Sequence, residues 1–421
     1  LKYSLLIIIL PSVIATPPPL CNFCNCDTDR ANNVEVVCTG QSELYIFENI
    51  YWFDSNNRSY SYKSLTLENA SFLTLDRKFP ESAITQLDLS HNSIVNIEGC
   101  VFAGLEKIEI LTMSHNNLRS LNCLGLETLR DLYLDHNNIS SLKGGIFEKM
   151  KNLEVLDLSH NPLSQEIDDE TFNAIANLIH LKVLDLSYTT IKSLSQKVMQ
   201  KLKELTVLNL SGNYFTKIPK TLQHSRSLTQ LYFNDNPVYN LTSKHGMTKT
   251  LSSLKIFHMS HAKRLRFMTN KALMQFPNLE EIYITNNPEL YVLGKFTFCS
   301  YGRHPRNNFK CPPIKKLHLQ NNKLETISDS LVQNWSQLTD LDLTNNPWSC
   351  DCENQWLVDE LMPLYLHLDE EKAKSLKCAA PPEMESYTLF ELYEIDAVLE
   401  CPKPYFALRS VLYPYDAIVV G

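Results

Sequence analysis

The chain has 421 residues, of which 44% are hydrophobic and 20% charged, the balance of a folded protein with a sizeable core. Its 39 Lys and Arg against 47 Asp and Glu give a net charge of −8 with no long run of either sign, which excludes the basic stripe that nucleic acid would need. Glycine is scarce at 11 residues, and there is no GxSxG, HExxH or phosphate-cradling glycine loop, so the residues offer no catalytic motif, cofactor site or metal site.

In chain order, residues 1–15 combine Lys2, an apolar run too short to span a bilayer, and Val13 and Ala15 before the prolines at 17–19. This pattern reads as the end of a signal peptide, with a buried strand as the alternative. The chain starts at Leu1 without Met, as a fragment would. Residues 16–64 hold Cys21, Cys24, Cys26 and Cys38, followed by a lead-in rich in aromatics (Tyr45, Phe47, Tyr51, Trp52, Phe53). Twelve cysteines in a secreted context argue for disulfides, although the CxxC at Cys21 and Cys24 can also be read as a redox or zinc motif.

Residues 65–346 repeat one phrase, L-x-L-x-x-N, first clearly as LDLSHN at 87–92 and last as LDLTNN at 341–346. Its Asn falls at 92, 116, 137, 161, 213, 236, 287, 322 and 346, with Thr189, Ala262 and a weaker Ala70 in the same slot. A period near 24 over so many copies predicts a solenoid. Within each copy the two leucines alternate with a polar residue, the pattern of a short strand with one buried face. Aliphatics two and five residues past the Asn (Ile94 and Ile97, Leu118 and Leu121) turn the chain inward again. No single coil can bury these side chains, so coils must stack and their strands pair in a parallel sheet. The Asn amide, both donor and acceptor, can serve backbone groups of its own coil and the next. A later apolar pair, such as Phe102 with Leu105, packs the bulkier outer side and bends the stack toward its strands.

The residue between the two leucines faces outward and forms one column: Asp88, Thr112, Tyr133, Asp157, Asp185, Asn209, Tyr232, His258, Tyr283, His318 and Asp342. From Tyr232 onward it alternates Tyr and His, a semi-apolar stripe with polar tips of the kind that anchors interfaces. With Tyr133, these rings are the candidate ligand-binding residues. The alternative is that exposed strand positions simply favour aromatics. A second column, one residue before the Asn, reads His91, His115, His136 and His160. It is expected to be turn filler without the carboxylate partners of a metal site.

One repeat is long: 35 residues separate the Asn slots at 287 and 322, and Cys299 and Cys311 bracket the extra segment. That loop carries Arg303, His304, Arg306 and Lys310, a basic tip that is either solvated or a docking finger for an acidic partner. Cys100 and Cys123 occupy similar places in neighbouring coils, and the sequence leaves their pairing open. N-x-S/T sequons occur at Asn57, Asn69, Asn138, Asn209, Asn240 and Asn334, and a glycan on Asn209 would crowd the strand face. Residues 347–402 contain Cys350, Cys352, Cys378 and Cys401. A solenoid end exposes leucines, so a small crosslinked lid is expected there. Residues 403–421 end in AIVVG, which could begin a membrane span or close a secreted chain.

The phrase LxxLxLxxNxLxxL with its later Phe or Leu resembles the leucine-rich repeat family, typical extracellular subclass. The resemblance implies an α/β solenoid, a right-handed curved horseshoe of about 12 coils with a concave parallel β-sheet. The run NPWSCDC resembles that family's C-terminal cap, implying Cys350–Cys378 and Cys352–Cys401. The first cluster resembles the N-terminal cap, implying Cys21–Cys26 and Cys24–Cys38. The bracketing pair Cys299–Cys311 is expected to pin its loop. Ectodomains of Toll-like, Slit-like and cell-adhesion proteins share these features. The implied function is therefore an extracellular receptor or adhesion ectodomain that binds a protein ligand on its concave face, anchored through a missing C-terminal span or shed. The alternative is a secreted matrix protein that organises fibrous components.

Overall fold

The computed structural model describes residues 18–30, 33–40, 46–70, 72–163, 169–243, 247–301, 309–332 and 334–401. The signal-like segment 1–15 and the tail 403–421 lie outside them. The chain falls into two units, Leu1–Ile139 with Gly145–Leu153, and Ser140–Gly144 with Glu154–Gly421.

In the first unit the strands Val34–Thr39, Tyr62–Glu68, Gln86–Asp88, Ile110–Thr112 and Asp131–Tyr133 pair in parallel in that order, and Asn25–Thr28 adds an antiparallel edge. Leucines stay in register from coil to coil: Leu65 faces Leu87, Leu87 faces Leu111, and Leu111 faces Leu132. The first strand was invisible as a repeat because it is written with valines, yet Val34, Val36 and Cys38 are buried and alternate as leucines would. The lead-in aromatics complete that early coil. Trp52 is fully buried, donates its indole N–H to Ile46 O at 2.6 Å and lies edge-on to Tyr62, while Phe47 packs on Phe72 and Phe79.

The second unit repeats the plan with the parallel strands Val155–Asp157, Val183–Asp185, Val207–Asn209, Gln230–Tyr232, Ile256–His258, Glu281–Tyr283, Lys316–His318 and Asp340–Asp342. Helices Asp169–Ala176 and Gln196–Lys201 follow two of these strands. Elsewhere the return is a 3-10 turn or a two-residue strand, as in the ladder Asn240–Leu241, Phe267–Met268, Val292–Leu293.

Two backbone devices hold the coils at uniform spacing. The first is the asparagine. Asn116 donates to Leu89 O of the preceding coil (2.8 Å) and to Met113 O of its own (3.2 Å), while its Oδ1 accepts from Ile94 N (3.0 Å). Thr189 substitutes in part, giving one bond to Leu186 O, and the N–H of Ala262 is served instead by Asn287 of the next coil. The second is the residue before the Asn, which is left-handed in coil after coil, with φ between +51° and +66° from Asn69, His91, His115 and His136 to His160, Tyr188, Gly212, Asp235, His261, Asn286, Asn321 and Asn345. Asn, Asp, His and Gly tolerate this conformation best, so the histidine column exists because the turn demands φ > 0. Gly212 meets a further constraint. The Tyr188 ring passes over it to donate its hydroxyl to Asp235 (2.9 Å), and a Cβ at 212 would overlap that ring.

All twelve cysteines are paired: Cys21–Cys26, Cys24–Cys38, Cys100–Cys123, Cys299–Cys311, Cys350–Cys378 and Cys352–Cys401. The pair left open by the sequence, Cys100 and Cys123, thus joins neighbouring coils. Among the described residues no helix is long and apolar enough to cross a membrane.

Candidate functional site

The three-residue strands bury their central residue and turn the two flanking ones outward, so the strand face carries two columns; the exception is Asp342, expected in the outward column but buried at the last strand. Sequence reasoning found the later column and missed the earlier one, Gln230, Ile256, Glu281, Lys316 and Asp340 in the aromatic region. Its signal was present, since the first four lie two before an expected ring, Asp340 lies two before Asp342, and a period of two puts each pair on one side of the strand.

The rings form a continuous run in the second unit. Tyr232 and His258 stack with centroids 4.5 Å apart, His258 and Tyr283 stack at 4.3 Å and nearly parallel, and Tyr283 meets His318 edge-on at 4.9 Å. The earlier column fixes the two tyrosine hydroxyls and brings a carboxylate beside His318. Tyr232 donates to Gln230 Oε1 (3.3 Å), Tyr283 donates to Glu281 Oε2 (2.8 Å), and His318 Nε2 lies 2.9 Å from Asp340 Oδ2. Lys316 in turn pairs with Glu281 at 3.1 Å. The four rings are half-buried and held from the side, which lowers the entropy they would lose on contact with a partner.

Their electrostatics follow from that crowding. Burial raises the Tyr283 hydroxyl pKa, with the hydrogen bond to Glu281 adding to it, so the group stays protonated. Burial likewise holds His258 down at about 4, reinforced by His318 and opposed by Glu281. Unfolded, the same imidazole titrates near 6.5, so between pH 6.5 and about 4 the unfolded chain binds the additional proton. The stabilisation is complete above pH 6.5 and is lost as pH falls toward 4. Thermal unfolding followed against pH should show this loss, and His258→Phe, which keeps the stacked ring, should flatten it. An unchanged pH slope in that variant would assign the loss to other groups.

Tyr133 sits elsewhere, half-buried on the strand face of the first unit and in register with Thr112. Of the basic loop, Arg303, His304 and Arg306 lie outside the described residues. Lys310 is exposed on the short antiparallel pair Ser300–Tyr301 with Phe309–Lys310, whose base is tied by Cys299–Cys311. Asn57, Asn69, Asn138 and Asn334 are exposed, whereas Asn240 is half-buried in a strand. Asn209, also half-buried, donates its amide to Asp185 Oδ2 (2.8 Å).

In the histidine column His91 stacks on His115 (4.4 Å) and His115 on His136 (4.2 Å), and in the second unit His160 stacks on Tyr188 (4.5 Å). The expectation that this column lacks carboxylate partners fails at Asp135, whose Oδ2 lies 3.0 Å from His136 Nδ1 and whose Oδ1 accepts from Ser114 Oγ. Burial alone would raise the Asp135 pKa, but the bonds from Ser114 and His136 outweigh it and hold the carboxyl below its usual value.

A coil built from alternating leucines, an inward asparagine and a left-handed turn defines a class, the leucine-rich repeat solenoid. Residues 62–122, 127–181 and 179–238 match the family model described as leucine rich repeat. The chain is thus a leucine-rich repeat protein, with disulfide-bonded caps before and after its repeats. Among curated proteins it is 29% identical over 234 residues to osteomodulin of Bos taurus, covering 51% of this chain and 49% of that protein. It is 26% identical over 292 residues to adenylate cyclase of Schizosaccharomyces pombe, covering 68% of this chain and 14% of the cyclase. The chain therefore spans half or less of the length of these relatives. Among solved structures, an internalin of Listeria monocytogenes aligns over 80% of this chain and 94% of its own, with TM-score 0.48 and 16% identity. A Leptospira interrogans LRR protein aligns over 78% and 88%, with TM-score 0.47 and 21% identity.

Proposed function

We propose that this chain is an extracellular recognition module that binds a protein ligand through its strand face, with Tyr232, His258, Tyr283 and His318 as anchors, in a cell-surface receptor or adhesion protein. The observation that carries the reading is the unbroken contact of those four rings, 4.5, 4.3 and 4.9 Å apart, with the tyrosine hydroxyls fixed by Gln230 and Glu281. Aromatic groups that are rigid, part-apolar and polar at the edge are the side chains that carry most binding energy in protein interfaces. Leucine-rich repeat scaffolds are in general binding surfaces rather than enzymes, and an open sheet face does not enclose converging groups. Six disulfides and a relative such as osteomodulin support an oxidising, extracellular setting. Asn57, Asn69, Asn138 and Asn334 are the sequons open to glycosylation. Asn209 donates its amide to Asp185 on the strand face, where a glycan would crowd the anchors.

The test is a panel of secreted and cell-surface ectodomains screened against the chain and against a Tyr232→Ala, Tyr283→Ala, His318→Ala variant. The variant should fold, because Leu231, Phe257, Ile282 and Leu317 beneath the rings remain buried. It should also lose at least about thirtyfold in affinity for any ligand of the wild type, the equivalent of one strong anchor. An affinity unchanged by the triple substitution would remove the stripe as the site.

A further inference from the structure

The three stacked imidazoles of the first unit are an unusual product of the left-handed turn. His91, His115 and His136 have φ of +53°, +52° and +51°, so the turn sends all three side chains the same way, one coil above the next. In the third of these coils the phrase changes from LSHN to LDHN. Asp135 thereby replaces the serine that occupies this place in the two preceding coils, Ser90 and Ser114. One donor atom each from His115, Asp135 and His136 then lies within 4.8 Å of the others.

We propose that His115, Asp135 and His136 form a binding site for a divalent transition-metal ion, zinc first among them. Two imidazoles and one carboxylate are a borderline nitrogen and oxygen set that suits zinc, whereas calcium and magnesium require a shell of oxygens. With metal–ligand bonds of about 2.0–2.2 Å, tetrahedral zinc needs donors roughly 3.3 Å apart. The Asp135 to His136 separation of 3.0 Å already meets this, so the ion would enter between those two groups. His115 closes from the neighbouring coil by rotation of an exposed side chain, and water completes the fourth position. Ser114, bonded to the other Asp135 oxygen, orients the carboxylate from outside. The ion would clip two successive coils together.

The experiment is calorimetric titration of the whole chain, freed of metal by chelation, with zinc chloride at pH 7.4. His136→Asn keeps a residue that tolerates the left-handed turn, as Asn286, Asn321 and Asn345 do, and Asp135→Ser restores the residue of the neighbouring coils. Binding is expected for the wild type, weakened at least about tenfold by either substitution, unaffected by His367→Ala at an exposed histidine of the second unit, and not reproduced by calcium chloride. A raised melting temperature with zinc in the wild type and none in His136→Asn would support the same site. No binding to the wild type, binding by both variants equal to that of the wild type, or loss of binding only with His367→Ala would overturn the proposal.

Discussion

Asn213→Ala is expected to destabilise the second unit by about 2–6 kcal/mol, more than the same change at Asn116. The difference lies in which buried groups lose their last partner. Asn213 is almost fully buried, and its Nδ2 donates to Leu186 O (2.7 Å), Leu210 O (3.1 Å) and Ser211 O (3.2 Å). Those three carbonyls keep other donors, in Thr189 Oγ1, Asn236 Nδ2 and Tyr188 N. The Oδ1 is different: it accepts from Ile191 N (3.1 Å) and Thr189 N (3.2 Å), in residues with no exposed surface. Truncation strands two buried N–H groups at about 1–3 kcal/mol each. Asn116 Oδ1 accepts from Ile94 N, one such group. Urea unfolding of the second unit would measure the loss, and amide exchange at Ile191 and Thr189 would localise it. A cost below about 1 kcal/mol, or equal costs at 116 and 213, would refute the account.

That asymmetry also shows what the sequence could convey. The role of the Asn was legible because its chemistry is local: a buried amide between two coils has few partners to choose from. The strand face was legible because the side-chain period of a strand is two, although only one of its two outward columns was drawn out, and the groups that fix the rings stand on the other. The coil at Val34–Thr39 escaped because valine and cysteine fill the leucine places and no Asn follows. Trp52 and Phe47 looked like an irregular lead-in, since aromatic packing leaves no period to read. The histidine column was recognised as belonging to a turn, but backbone handedness is not written in side-chain polarity. It becomes visible only when His, Tyr, Gly, Asp and Asn are seen to share one property, tolerance of φ > 0. Asp135 needed the register of neighbouring coils before its replacement of serine meant anything.

The second large effect is expected at the C-terminal end, from Cys352→Ser with Cys401→Ser. In one coil after another the backbone N–H two residues past the buried central strand residue donates to the next strand, as Leu319 N does to Asp342 O (2.8 Å). The last strand has no successor, and the Tyr365 hydroxyl accepts from Leu343 N instead (3.1 Å), fully buried on helix Met362–Leu368. Trp348, also fully buried, donates to Leu343 O (3.2 Å), and Lys372 reaches Asp342 at 3.5 Å. The cap therefore substitutes side chains for a missing coil, and its helices must be held against the strand for that to work. Its apolar residues alone make a small core, so the crosslinks carry a large share. The Cys352–Cys401 separation of 49 residues corresponds to about 4 kcal/mol in the chain-entropy model, and about 3 kcal/mol while Cys350–Cys378 already shortens the loop. Gln355, bonded to Leu399 N (2.7 Å) and Ala397 O (3.0 Å), retains part of the tether in the variant. The double serine variant should unfold its cap at lower urea than the repeats, and tryptophan fluorescence, to which Trp348 and Trp356 of the cap contribute two of the four indoles, should change ahead of the loss of strand signal. A single transition at the wild-type midpoint would mean that the apolar contacts of the cap suffice and that the crosslink adds nothing to the end of the solenoid.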